Sequence, residues 1–159
     1  IQRINGKLIG HNTDCFGFHQ SIKPYFKSRH ERAIILGTGG ASKAVEFVLK
    51  GLGCDPIFIS RNPIKENQFS YDEVNNYMID ACKMIINTTP VGTYPNIEEC
   101  PDFPFECLNE ENLVIDLIYN PEETLFLKQA KNQGAVTLNG LVMLREQAEK
   151  AWSIWSNKS

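Results

Sequence analysis

Short apolar runs alternate along this chain with longer stretches in which apolar residues recur every three or four positions, and glycine or proline separates most of them. AIIL (33–36), IFIS (57–60), MIIN (84–87) and LVIDL (113–117) are too short for stable helices and read as strands buried on both faces. A further short strand is expected near Val136 to Leu138. Residues 1 to 10 read as a hairpin, with Asn5 and Gly6 as the two-residue turn between Gln2-Arg3-Ile4 and Lys7-Leu8-Ile9. Helix signals fill the gaps. One begins near Thr13 or Asp14, both good caps, and runs to about Pro24, burying Phe16 and Ile22. Others follow Gly40, span Tyr71 to Tyr77, and run from Pro121-Glu122 to a stop at Gly134. The last starts near Leu141, where Leu141, Leu144, Ala148, Trp152 and Trp155 form a stripe expected to pack. The pattern predicts an α/β fold, a Rossmann-like doubly wound and mostly parallel sheet with helices on both faces. Such sheets bind ligands at the carboxyl ends of their strands.

The segment from Ala33 to Val45, AIILGTGGASKAV, joins a strand, a glycine cluster and an amphipathic helix. Gly37 permits a tight turn off the strand, and Gly39 lets bare backbone approach a pyrophosphate. The N–H groups opening the helix supply donors and a positive dipole. Ser42 stands where the usual fingerprint has its third glycine; Gly40, Ala41 and Ala44 are small enough to keep the helix near the sheet. At the end of the next strand, where a carboxylate would select NAD, the chain has Ser60, Arg61 and Asn62. Asp55 precedes that strand and is wrongly placed for the role. NADP(H) is therefore the expected cofactor, with Arg61 against a 2′-phosphate; the alternative is a solvated loop cation.

A chain of 159 residues with 42% apolar and 22% charged residues suits one domain, or one domain plus part of another. Its net charge of −3 argues against a nucleic-acid partner, and no apolar run approaches a membrane span of about 20 residues. Cys15, Cys54, Cys82, Cys100 and Cys107 are odd in number and scattered, which suggests neither a disulfide framework nor a metal site. Reduced thiols and a cytoplasmic setting fit them. The chain begins at Ile1 rather than methionine, which suggests a cut or processed piece of a longer protein.

NTD (12–14), GTGGAS (37–42), SRN (60–62), NTTPVG (87–92), DLIYNPEET (116–124) and NGLVMLREQA (139–148) together resemble the shikimate dehydrogenase family, in order and over nearly the whole chain. The resemblance implies NADPH-dependent reduction of 3-dehydroshikimate to shikimate in aromatic amino acid biosynthesis, the small acid being the only partner beside the cofactor; the oligomeric state is left open, a homodimer being one option. It divides the chain into a remnant of the catalytic domain (1–30), an NADP-binding domain (31–140) and a terminal helix (141–159) packing back toward the catalytic domain. Asp14 matches the catalytic aspartate, which works with a lysine of an upstream domain; read by itself, it is equally a helix-capping acid. Tyr119 and Gln147 match substrate contacts, where their residue types alone suggest packing with a wet tip and solvent exposure. Gly37, Thr38, Gly39, Gly40 and Ala41 would hold the pyrophosphate, and Ser60, Arg61 and Asn62 the 2′-phosphate. Thr88, Leu117 and Gly140 would line the nicotinamide end. Cys15, Asn62 and Tyr94 depart from residues frequent in the family. A non-catalytic nucleotide-sensing module and a quinate-preferring relative are the alternatives.

Overall fold

The computed structural model describes residues 1–4 and 6–156. Two strands, β1 (Gln2–Ile4) and β2 (Lys7–Ile9), pair antiparallel as the alternation predicts, and their turn residue Asn5 lies outside the described residues. The main sheet contains β3 (Arg32–Leu36), β4 (Asp55–Ile59), β5 (Gln68–Phe69), β6 (Met84–Asn87), β7 (Leu113–Asp116) and β8 (Val136–Leu138). Its order is β5-β4-β3-β6-β7-β8, and every neighbouring pair is parallel. The chain thus winds outward from β3 in one direction, then returns past it to build the other half. The crevice beyond the carboxyl ends of β3 and β6 is the switch point of such a sheet.

Each face of the sheet carries its own core. Ala33, Ile35, Met84, Ile86 and Ile115 face one side, where they meet Val45, Val48 and Leu49 of α2 (Gly40–Gly51) and Phe18 and Ile22 of α1 (Thr13–Ile22). Ile34, Leu36, Ile85 and Val114 face the other, against Ile79 of α3 (Asn76–Ala81) and Phe126, Leu127 and Ala130 of α4 (Leu125–Asn132). Phe103, Phe105 and Phe126 stack edge-on at centroid separations of 5.5 to 6.1 Å, closing that side. Strand side chains alternate between two apolar layers, which is why these runs contain almost no polar position.

Several boundaries differ from the sequence reading for identifiable reasons. Helix α1 is capped by neither Thr13 nor Asp14: Asn12 Oδ1 accepts the N–H groups of Asp14 and Cys15 at 3.1 and 3.3 Å. Its buried aromatic is Phe18, while Phe16 is only half-buried, beneath the Lys150 ammonium. The 71–77 segment is broken into a 3-10 turn (Tyr71–Glu73) and α3, because the Asn75 side chain caps a new helix by accepting from Met78 N–H. Pro121 and Glu122 belong to a bend after a cis Asn120–Pro121 bond, and α4 begins later, capped by Thr124. Asp55 is the first residue of β4 rather than its prelude, still at the amino end. At the α2 contact with the sheet the small residues are Ser42 and Ala44, not Gly40, which faces outward.

Helix α5 (Leu141–Ser156) departs furthest. The stripe expected to pack is largely open, with Trp152 70% and Trp155 62% exposed. The face that meets α1 instead carries Met143 and Gln147, because Gly17 allows the two helix backbones to approach. A Cβ at Gly17 would stand 2.5 Å from the Met143 carbonyl oxygen.

Candidate functional site

The loops after β3, β4, β6 and β7 all emerge at one end of the sheet, so parallel pairing gathers Gly37 to Ala41, Ser60 to Asn62, Thr88, Leu117 and Tyr119 there, while Asp14 and Gln147 lie on helices α1 and α5. Gly37 follows β3 with φ +97°, and its N–H donates to the Ile59 carbonyl at 2.8 Å. Thr88 reaches back across the switch point, its N–H and Oγ1 both donating to the Leu36 carbonyl at 3.0 and 2.6 Å. The floor of the crevice is therefore fixed by hydrogen bonds between loops rather than by side-chain packing.

Thr38, Gly39 and Gly40 are exposed, and Ala41 is half-buried at the start of α2. Gly39 occupies the cap position of α2 with no side-chain hydrogen bond, so the leading N–H groups of a 12-residue helix keep their donors free. A Cβ added at Gly39 or Gly40 would meet nothing within 4 Å. That open floor fits a pyrophosphate, since protein atoms do not already fill it. Ser42, in place of the third glycine, is buried and donates to the Gly39 carbonyl at 2.7 Å, holding the turn from within.

At the end of β4, Ser60 N–H donates to Phe69 O at 2.8 Å, and Ser60 Oγ accepts from Asn62 N–H at 3.2 Å. This small turn presents Arg61 to solvent. Burial pushes the pKa of the Tyr71 hydroxyl up, partly opposed by the Arg61 charge.

A cleft of about 460 Å³ opens between the β6 and β7 loops, lined in part by Thr88, Thr93, Tyr94, Leu117 and Tyr119. The structure thus joins Thr88, Leu117 and Tyr119 in one hollow, with the Tyr119 ring half exposed. The Asn120 backbone carbonyl ties the two loops together, accepting from Tyr94 N–H at 3.1 Å and Thr93 Oγ1 at 3.3 Å. Gly140 is buried and donates to the Ile118 carbonyl at 3.0 Å; a side chain there would run into the Leu117 carbonyl. Gly140 therefore acts first as the point where α5 is fastened to the β7 loop.

Asp14 lies apart from that cleft, in an open hollow formed by Gly10, His11, Asn12 and Thr13. With Asn12 serving as the cap, the Asp14 carboxylate is exposed and accepts no hydrogen bond among the described residues. His11 is occupied with Gln2 Oε1 at 3.2 Å. Burial and the Asp14 charge push the pKa of the Cys15 thiol up, away from the thiolate form. Gln147 is half-buried rather than simply exposed, packed beside Gly17, one helical turn from Asp14.

A polar group that the sequence reading did not single out sits beneath the cleft. Asn87, Asp116 and Thr124 are 0%, 0% and 1% exposed. Burial raises the Asp116 carboxyl to about 6, against hydrogen bonds from Thr124, Ile118 N–H and Asn87. A signal was present: Asn87 and Asp116 each end a strand that is otherwise wholly apolar, where a polar side chain requires partners.

No family model matches the chain. It is 36% identical, over 98% of its length, to a protein of Desulforamulus reducens named shikimate dehydrogenase (NADP(+)). It spans about 60% of the length of that relative, and of another of the same name from Methanosphaera stadtmanae. Among solved structures, a shikimate dehydrogenase in complex with NADP+ superposes with a TM-score of 0.80 at 35% identity, covering 98% of this chain and 60% of that one. The Thermus thermophilus enzyme, in complex with NADP(H) and shikimate, gives 0.80 at 31% identity and the same coverages. The resemblance carried by the loops thus extends over nearly the whole chain, with the doubly wound fold in common.

Proposed function

We propose that this chain is the cofactor-binding part of an NADP-dependent shikimate dehydrogenase, and that the complete protein reduces 3-dehydroshikimate to shikimate in aromatic amino acid biosynthesis. The observation that carries this reading is the open glycine turn at the switch point, flanked at the next strand end by an arginine and no carboxylate. Backbone N–H groups of Thr38 to Ala41 hold the pyrophosphate, Ser60, Arg61 and Asn62 hold the 2′-phosphate, and Thr88, Leu117 and Gly140 border the nicotinamide end. Bound NADPH would supply the hydride for carbonyl reduction.

Tyr119 and Gln147 orient the polyhydroxy acid through its hydroxyl and carboxylate groups. Asp14, uncommitted among the described residues, holds and exchanges the proton of the reacting oxygen together with a lysine that the resemblance assigns to a preceding domain. Strands β1 and β2 and helices α1 and α5 (Leu141–Ser156) form the side that meets that domain; exposed Trp152 and Trp155 support this. We further place the protein in the cytoplasm, a reading supported by its five free thiols. Among the described residues no helix is long and apolar enough to cross a membrane.

Titration of the chain with NADPH and NADH separately tests the cofactor reading, with NADPH expected to bind at least about tenfold tighter through one added charge-assisted contact. Equal affinity, or none for either, would end it. Assay of the complete protein with shikimate and quinate tests the substrate, with turnover expected on shikimate and abolished in Asp14→Asn.

A further inference from the structure

The hydrogen bonds beneath the cleft form one connected chain. Asn87 and Asp116 are directly opposite one another in the β6–β7 ladder. Asp116 Oδ1 accepts from Asn87 Nδ2 and from Ile118 N–H, both at 3.1 Å, and Oδ2 accepts from Thr124 Oγ1 at 2.7 Å. Asn87 Oδ1 in turn accepts from Thr89 N–H at 3.0 Å and Thr89 Oγ1 at 2.7 Å, and Thr89 Oγ1 accepts from Val91 N–H at 3.3 Å. Thr124 Oγ1 also accepts from Leu127 N–H at 3.3 Å, which caps α4.

We propose that Asp116 is a positioning residue, whose carboxylate ties the Thr88–Gly92 loop to the Leu117–Glu123 loop and so sets the shape of the cleft that takes the nicotinamide half of the cofactor. This inference rests on the cofactor reading above and extends it to a residue that touches no ligand itself.

The direction of the bonds suits a carboxylate at this position. Three donors converge on Asp116, one on Oδ2 and two on Oδ1, and it offers none in return. An amide of the same shape keeps one acceptor oxygen and turns an N–H₂ toward Thr124 Oγ1, which already accepts from Leu127 N–H. The threonine hydroxyl must then find another acceptor in a buried place, and the link between loop and α4 is lost. Burial raises Asp116 to about 6, so at neutral pH it is still charged and each incoming hydrogen bond is charge-assisted. The pyrophosphate turn and Arg61 lie on the β3–β4 side of the sheet and take no part in this chain of bonds.

That separation supplies the test. NADPH engages both halves of the crevice, whereas adenosine 2′,5′-bisphosphate engages only the adenosine end. Binding of both probes is measured to the 159-residue chain, to Asp116→Asn, to Thr124→Val and to Thr124→Ser, with circular dichroism to establish that each is folded. Expected are a loss of about tenfold in NADPH affinity for D116N and T124V, the scale of one charge-assisted hydrogen bond. Binding of the bisphosphate should stay within about twofold of the unaltered chain, and T124S, which keeps the hydroxyl, should recover NADPH binding. Unchanged NADPH affinity in folded D116N and T124V would overturn the proposal. Equal loss of both probes would overturn it too, since Asp116 would then support the whole sheet rather than one cleft. If the unaltered chain binds neither probe, the cofactor reading itself falls and carries this one with it.

Discussion

Replacing Gly37 and Gly39 by alanine, one at a time, separates two tasks that the same loop performs. Gly37 sits at φ +97°, where a side chain costs about 1 to 2 kcal/mol of backbone strain. An added Cβ would stand 2.9 Å from Thr89 Cγ2 and 3.0 Å from Thr88 Oγ1, displacing the threonine whose hydroxyl donates to Leu36 O at 2.6 Å. Loss of that hydrogen bond adds about 1 kcal/mol. Gly37→Ala should therefore destabilise the fold by about 2 to 3 kcal/mol, or roughly 5 to 10 °C in Tm for a chain of this size. Gly39 differs: its φ of −79° and ψ of −166° suit any residue, and nothing lies within 4 Å of the added Cβ. Alanine there loses about 0.5 kcal/mol as a helix cap and recovers about as much by restricting the unfolded chain. Its stability should match the unaltered chain within about 0.5 kcal/mol, while NADPH affinity falls at least about tenfold because the methyl stands where the pyrophosphate must lie. Urea denaturation at constant m, with NADPH titration alongside, reads both effects. An unchanged urea midpoint in G37A would refute the strain argument. Full NADPH affinity in folded G39A would remove the pyrophosphate from this turn.

Arg61→Ala should weaken NADPH binding by about 1 to 3 kcal/mol and leave NADH nearly unaffected, because only the 2′-phosphate distinguishes the two cofactors there; equal losses in calorimetric titrations would dismiss the assignment. Stability should also depend on Asp116. Burial raises its folded-state value to about 6, above the 3.8 of an unperturbed aspartate, so the fold favours the protonated form, and the stability linked to that proton is fully present below about pH 3.8 and is lost as pH rises through 6. The stability difference between the unaltered chain and D116N should accordingly decline by up to about 3 kcal/mol from pH 4 to 7. A difference that stays flat over that range would mean the carboxyl titrates normally.

Much of this molecule is written in short-range pattern. The four buried strands, the hairpin, the glycine turn and the arginine beyond β4 were all legible, since each depends on a few adjacent residues and on backbone geometry common to all proteins. What was misread was chosen by competition between neighbours. Asn12 outcompetes Thr13 and Asp14 for the cap of α1, and that choice leaves the Asp14 carboxylate free. Asn75 splits an apparent helix because its side chain caps a second one. The two-residue strand β5 and the 3-10 turn at Phe105–Cys107 leave no mark in the sequence because neither is long enough to show a period.

The amino-acid sequence by itself determined the alternation of strand and helix, hence a parallel sheet and the gathering of its loops at one end, because local periodicity and handed connections leave few other arrangements. Only the tertiary structure decided how those loops are joined: Asn87, Asp116 and Thr124 are separated along the chain and meet through β6–β7 register and the bend before α4. It likewise decided which face of α5 packs. Both faces carry apolar residues, and the choice falls to Gly17, whose missing side chain lets the backbones of α1 and α5 come within contact.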